Sequence, residues 1–183
     1  MNSSEKIPNI LHFILDIDKD VYPFLFSYYL SIYSAYLLNK PNKIYIWYNH
    51  LPIGSWWDKT LKIKSIELKK YDIPNKFYDK DIVEPEHKKN FIKLNILYNY
   101  GGVYMDLESV SLKSYRDILL NNTVMIQKND KELYSGFIAT KPKSDFLNLW
   151  LKEYKKKFKT FETNKCSEKI PLKIATKNPF KLL

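Results

Sequence analysis

Cysteine, arginine, histidine and glycine are all scarce in this chain of 183 residues, which has one Cys (Cys166), one Arg (Arg116), three His and four Gly. A single cysteine excludes an intramolecular disulfide framework and any multi-cysteine metal site, and it suits a reducing compartment. His12, His50 and His87 show no HxxxH or similar spacing, so a histidine metal centre is not expected. With every cation but Arg116 a lysine, the planar fork favoured in phosphate and base recognition is missing. No finger, helix-turn-helix or RNP-like signature replaces it, so no specific nucleic-acid partner is expected. The opening MNSSEKIPNILHF lacks the basic start and long apolar core of a secretory signal. Together these absences point to the cytoplasm or the cytoplasmic face of a membrane.

What is present is a globular composition, with 45% hydrophobic, 16% aromatic and 27% charged residues. The length suits one domain, 1–183. The net charge is +10, and residues 141–181 hold twelve Lys against four acids. This Lys-rich end offers peripheral contact with an anionic membrane surface or an acidic partner; the plainer reading is an AT-rich coding sequence with no binding role. Residues 21–39 carry no charge and approach the length of a membrane span. Five Tyr and a polar stripe of Ser27, Ser31 and Ser34 instead favour a largely buried helix of a soluble domain.

Hydrophobic periodicity predicts a buried strand over 8–15, a helix from near Pro23 to Asn39, a strand over 43–49 and a weaker strand over 61–68. From Glu86 to Tyr98 the period is helical, with Phe91, Leu94 and Tyr98 on one face and Glu86, Lys89, Asn90 and Lys93 on the polar side. Further predictions are a strand over 103–108, a short helix around 114–120, strands near 123–128 and 135–140, and a helix from 144 to 157 capped by Ser144. The Lys-rich stretch 152–159 reads as the solvated face of that last helix. This order gives an α/β fold on a mainly parallel central sheet flanked by helices.

Two of the four glycines stand together in YNYGGVYMDLE, residues 98–108. Gly101 and Gly102 end the preceding helix and read either as a plain helix cap or as small residues that let a bulky ligand approach the backbone; the cap alone explains one of them. If the strand runs on to 108, alternation places Asp106 and Glu108 on one face, roughly 7 Å apart, at the strand end where open α/β sheets bind their ligands. Like charges so placed call for a cation. Hard oxygen ligands suit Mn²⁺ or Mg²⁺ bridging to substrate phosphates. Trp47, Trp56 and Trp57 are candidates for stacking on a sugar or base, although core packing is the commoner role.

The segment HKKNFIKLNILYNYGGVYMDLESVSLK, residues 87–113, resembles the corresponding part of the DXD-containing glycosyltransferases, which include sugar transferases of capsular polysaccharide synthesis and glucosylating toxins. IPNILHFI (7–14), NKPNKIYIWYN (39–49), SGFIATKPKSDFLNLW (135–150) and, faintly, IATKNP (174–179) resemble other parts of that pattern. The resemblance implies a GT-A-like nucleotide-sugar-binding domain. It implies a metal-dependent transfer of a hexose from a UDP- or GDP-sugar to a hydroxyl of a glycan, lipid-linked sugar or protein, with retention and no protein nucleophile. Glu108 would coordinate Mn²⁺, and Asp106 would join the metal site and contact the donor. His12, Asn90, Lys93, Gly101, Gly102 and Tyr104 would border the donor.

The chain also departs from the pattern. Asn90 and Lys93 stand where the family has Asp and Arg, Glu108 replaces an Asp, Leu15 stands where the toxins have a stacking Trp, and the C-terminal part is short. The alternative is a degenerate fold that binds a nucleotide, glycan or anionic partner without turnover.

Overall fold

The computed structural model describes residues 6–15, 22–77, 80–158 and 162–178. Its first half alternates strands and helices: β1 (Ile10–Ile14), α1 (Phe26–Asn39), β2 (Lys43–Tyr48), α2 (Ser55–Thr60) and β3 (Ile66–Lys70). A two-stranded ribbon, β4 (Lys76–Phe77) and β5 (Lys80–Asp81), leads into α3 (Pro85–Tyr100) and β6 (Gly102–Met105). A 3₁₀ turn over Arg116–Leu120 precedes β7 (Thr123–Asn129) and β8 (Glu132–Thr140). Helix α4 (Asp145–Lys157), a π turn over Lys165–Lys169 and α5 (Ile170–Lys177) follow.

Six strands form one sheet in the order β3-β2-β1-β6-β8-β7. The pairs β3–β2, β2–β1 and β1–β6 are parallel, and β8 runs antiparallel to both β6 and β7. Side chains alternate cleanly between two cores. Leu11, Phe13, Ile44, Ile46, Val103 and Met105 pack with Ile32 and Ala35 of α1 and Trp57 of α2. Ile14, Tyr45, Trp47, Tyr104 and Ile138 pack with Leu94 and Leu97 of α3, Phe146 and Trp150 of α4, and Ile170 of α5. A period of two along strands buried on both faces is what a sheet covered by helices on each side requires.

Several expectations are corrected. The strand expected over 61–68 starts later, at Ile66, because 61–65 is spent on the turn that ends α2 and buries Ile63. Helix α1 is only half-buried: Ser31, Ile32, Ala35 and Asn39 face the sheet, while Leu37 and Phe26 lie open. Ser144 stands at the N-cap of α4 without capping it; its hydroxyl bonds Thr123 Oγ1 at 3.0 Å instead. Lys152, Lys155 and Lys156 are exposed as expected, yet α4 is followed by α5, which periodicity had not resolved. Among the described residues no helix is long and apolar enough to cross a membrane.

Candidate functional site

Strand β6 lies between β1 and β8 and enters the sheet directly from the end of α3, so the Gly-Gly pair must turn the chain within two residues. Both glycines have positive φ, +63° at Gly101 and +96° at Gly102. A Cβ on Gly101 would lie 2.6 Å from Pro142, and one on Gly102 would lie 2.5 Å from the Ile10 carbonyl of β1. Backbone geometry and close packing of β6 on β1 therefore account for both glycines. His12 completes this frame. It is fully buried, its Nδ1 accepts from Trp47 Nε1 at 3.1 Å, and Nε2 must then carry the proton it donates to the Gly101 carbonyl at 2.8 Å. Burial lowers its pKa to about 4, so the ring stays neutral. His12, Gly101 and Gly102 thus position β6 from within the fold and present no open surface.

The strand stops at Met105, earlier than the alternation had placed it. Ser109 N–H donates to the Asp106 carbonyl at 3.1 Å, closing a tight turn with Leu107 and Glu108 at its centre. Asp106 and Glu108 therefore share a strand exit rather than a strand face; Asp106 is half-buried and Glu108 is exposed. The turn is tethered on both sides. Asp106 N–H donates to the Gly136 carbonyl of β8 at 2.9 Å, and Ser31 Oγ of α1 donates to the Asp106 carbonyl at 3.4 Å.

The Asp106 carboxylate is held by one oxygen. Tyr104 donates its phenol to Oδ1 at 2.5 Å, and Lys89 Nζ lies 3.7 Å from the same atom. Burial, and then the Asp106 charge, raise the Tyr104 pKa well above 10, which keeps the phenol protonated as a donor. Oδ2 receives no hydrogen bond from the described residues. Gly136 leaves the room it occupies, since a Cβ there would collide with Oδ2 and with the Tyr134 ring and hydroxyl.

Helix α3 turns part of its polar side inward: Asn90 and Lys93 are buried, Lys89 is half-buried and Glu86 stays exposed. Lys93 is buried, donates to the Ser135 carbonyl at 2.9 Å and lies 4.8 Å over the Tyr104 ring. Burial lowers its pKa to about 8, against the opposing pull of Asp106 and Glu86. Asn90 is buried with neither amide atom in hydrogen-bond geometry, although it lies close enough to act on the Tyr154 phenol, which His87 Nδ1 engages at 2.6 Å. A buried amide without partners is costly, so Asn90 is a place where a ligand or a water can supply them.

The structure therefore brings together Asp106, Tyr104, Lys93 and, a helical turn away on α3, Asn90, and it leaves Glu108 on the rim. Lys89 and Gly136 were missed by the sequence reading. Lys89 had been placed only on the polar side of its helix, and the only sign of Gly136 was its place in the 135–150 segment. Trp47 and Trp57 are core residues, and Trp56 packs at the surface against Phe26 and under Lys59 Nζ at 4.1 Å, so none of the three borders Asp106.

A divalent cation fits this donor set as far as the chain supplies it. The open Oδ2 at a strand exit and a second carboxylate in the following turn are the hard oxygens such an ion takes, with substrate phosphates and water left to complete the shell. Among the described residues no three His, Cys, Asp or Glu side chains group together to hold a metal unaided.

Comparison with known proteins agrees with this geometry. The family model described as a glycosyltransferase sugar-binding region containing the DXD motif matches residues 23–129, more than half of the chain. Glucan organizing enzyme 1 of Cryptococcus neoformans var. grubii is 29% identical over 136 residues, covering 69% of this chain and 37% of that protein. The match thus spans little more than a third of that relative. The solved structure of PaToxG Glycosyltransferase superimposes with a TM-score of 0.59 at 13% identity, over 95% of this chain and 70% of its own. At that identity the likeness speaks for the fold.

Proposed function

The chain belongs to the glycosyltransferase family defined by a DXD-containing sugar-binding region, and from that membership we propose that it transfers a hexose from a nucleoside-diphosphate sugar to a hydroxyl acceptor with retention of configuration. On this reading residues 1–183 act as one GT-A-like domain. The observation that carries the proposal is the Asp106 carboxylate at the exit of the central strand, fixed through Oδ1 by Tyr104 and without a hydrogen bond at Oδ2 from the described residues, with the buried cation of Lys93 near it.

Each residue has a separate task. Asp106 and Glu108 would hold Mn²⁺ or Mg²⁺, on which enzymes of this family usually depend; when bound, such an ion offsets the charge of the departing diphosphate. Tyr104 fixes the Asp106 carboxylate in place. Lys89 balances the Asp106 charge and would have to yield or share that position when a cation enters. Lys93 offers a desolvated positive charge to the donor diphosphate, which is worth more in a buried site than in water. Asn90 can donate to and accept from sugar hydroxyls, which would satisfy both its amide atoms.

The test is release of nucleoside diphosphate from UDP-glucose, UDP-GlcNAc, UDP-galactose and GDP-mannose, with Mn²⁺ and with a chelator. Release from one donor that stops on chelation supports the proposal, and no release from any donor with any acceptor sinks it. A second reading, binding without turnover, is favoured by Lys89 beside Asp106 and by Asn90 and Lys93 in place of the family's Asp and Arg. It predicts donor binding in the same assay with no product.

Lys93 also gives a pH prediction. The protonated ammonium is the form that attracts a diphosphate, and its pKa of about 8 reflects burial first, with Asp106, Glu86, Lys89 and Glu168 acting on it as neighbouring charges. Donor affinity should fall as pH rises through 8, at most about tenfold per pH unit above it. Lys93→Met should bind more weakly at pH 7 and lose that slope. Titrations between pH 6.5 and 9.5 on both proteins check it, and an unchanged slope in the variant would assign the dependence elsewhere.

A further inference from the structure

The segment that follows the Asp106 turn lies on the surface of α1. Ser111 N–H donates to Ser34 Oγ at 3.1 Å, and Tyr115 N–H donates to Asn39 Oδ1 at 2.8 Å. Ser34 and Asn39 of α1 therefore pin this loop. On either side of the first anchor Val110 and Leu112 are left 46% and 85% exposed, and on the adjoining turns of α1 Leu37 and Leu38 are 51% and 40% exposed. Single exposed leucines are ordinary, but four apolar side chains on two segments pinned to each other are a patch of the kind that marks an interaction surface.

Charge says what the patch fits. Residues 37–42 and 110–120 carry Lys40, Lys113 and Arg116, all exposed, against Asp117 as their one acid. The whole chain adds a net charge of +10. Apolar side chains interleaved with cations suit an anionic lipid surface, where aliphatic groups enter the headgroup boundary and lysines meet phosphates. A second copy of this chain would bring like charges together.

We propose that Leu37, Leu38, Val110 and Leu112, with Lys40, Lys113 and Arg116, form a membrane-docking surface for an anionic leaflet. This surface is distinct from the Lys-rich C-terminal region. It adjoins the 106–109 turn, so a docked chain holds its candidate donor site near the lipid–water interface. That placement bears on the acceptor only if the function proposed above holds, and the docking does not depend on it.

The test is vesicle flotation of the full chain. Wild type should float with vesicles of phosphatidylcholine containing phosphatidylglycerol, and poorly with phosphatidylcholine alone or in high salt. The double variant Leu112→Asp/Lys113→Glu should lower partitioning into the anionic vesicles about tenfold or more, one insertion site and one lysine contact being lost. Both side chains are exposed, so its thermal midpoint should match wild type. Lys155→Glu/Lys156→Glu, on the solvated face of α4, should change partitioning much less. The proposal is overturned if wild type does not float, if neutral vesicles serve equally well, if the α4 variant rather than the loop variant abolishes flotation, or if the loop variant only dissolves a self-association seen without lipid.

Discussion

Asp106→Asn should lower sugar transfer about a thousandfold while leaving the fold in place, the scale expected when a charged group in a metal and diphosphate site is neutralised. The amide is nearly the size of the carboxylate, and its Oδ1 can still accept from the Tyr104 phenol, so the side chain keeps its position. What it loses is charge. An amide oxygen is a weak ligand for a divalent ion beside a carboxylate, and Lys89, 3.7 Å from Oδ1, is left without its counter-charge in a place that then repels a metal. Because the Asp106 side chain is still 28% exposed, the cost to stability should stay near ~1 kcal/mol. Glu108→Gln should act in the same direction but more weakly, since Glu108 sits on the exposed turn and can be replaced by water. Initial rates of nucleoside-diphosphate release, with thermal unfolding as the control, decide the matter. A variant within tenfold of wild type would remove Asp106 from the mechanism.

Gly136→Ala should cost about a hundredfold in transfer, through displacement and not through charge. The added Cβ would meet Asp106 Oδ2 on one side and Tyr134 on the other. Strand β8 cannot simply withdraw, because the Gly136 carbonyl accepts from Asp106 N–H at 2.9 Å and Phe137 pairs with Met105 next to it. The Asp106 carboxylate and the Tyr134 ring are the parts that can move, and moving the carboxylate breaks the hydrogen bond from Tyr104. A stability loss of roughly 1–3 kcal/mol is expected as well, as for other overpacked sites. Loss of transfer in a protein that still unfolds cooperatively is the expected result. Unchanged rates would mean that Tyr134 yields in place of the carboxylate or that the carboxylate works equally well from another rotamer, and either would remove Gly136 from the account.

The sheet was legible in the sequence where burial is two-sided. The runs at 10–14 and 43–48 have no polar face to mislead a reader, and they form adjacent parallel strands. The helix over 85–100 was equally plain, but the meaning of its polar stripe was not. Periodicity separates a polar face from an apolar one; it cannot tell a face turned to solvent from one turned into a site, and Asn90 and Lys93 are buried. The extension of β6 to 108 failed for a related reason. Met105, Asp106, Leu107 and Glu108 alternate as a strand would, yet the chain turns at Asp106 because its pairing with β8 stops there and Ser31 and Ser109 capture its carbonyl.

Local rules explained one glycine of the pair. The second is explained by a contact with Ile10, ninety-two positions away, and Gly136 likewise by its closeness to Asp106. Such long-range crowding leaves no periodic trace in a single sequence. The Asp-x-Glu motif was visible because its chemistry is unusual in an apolar run. The clamp that holds it, Tyr104 and Lys89, needed the sheet and α3 to be assembled before it could be seen.

The measurement that bears most directly on the central claim is calorimetric titration of UDP-glucose, UDP-GlcNAc, UDP-galactose and GDP-mannose into the wild-type chain and Asp106→Asn, each with and without Mn²⁺. The account predicts that wild type binds one donor tightly only with the metal, and that Asp106→Asn loses that metal-dependent gain. If no nucleotide-sugar binds, or if binding ignores both the metal and the substitution, the Asp106 cluster is not a donor site.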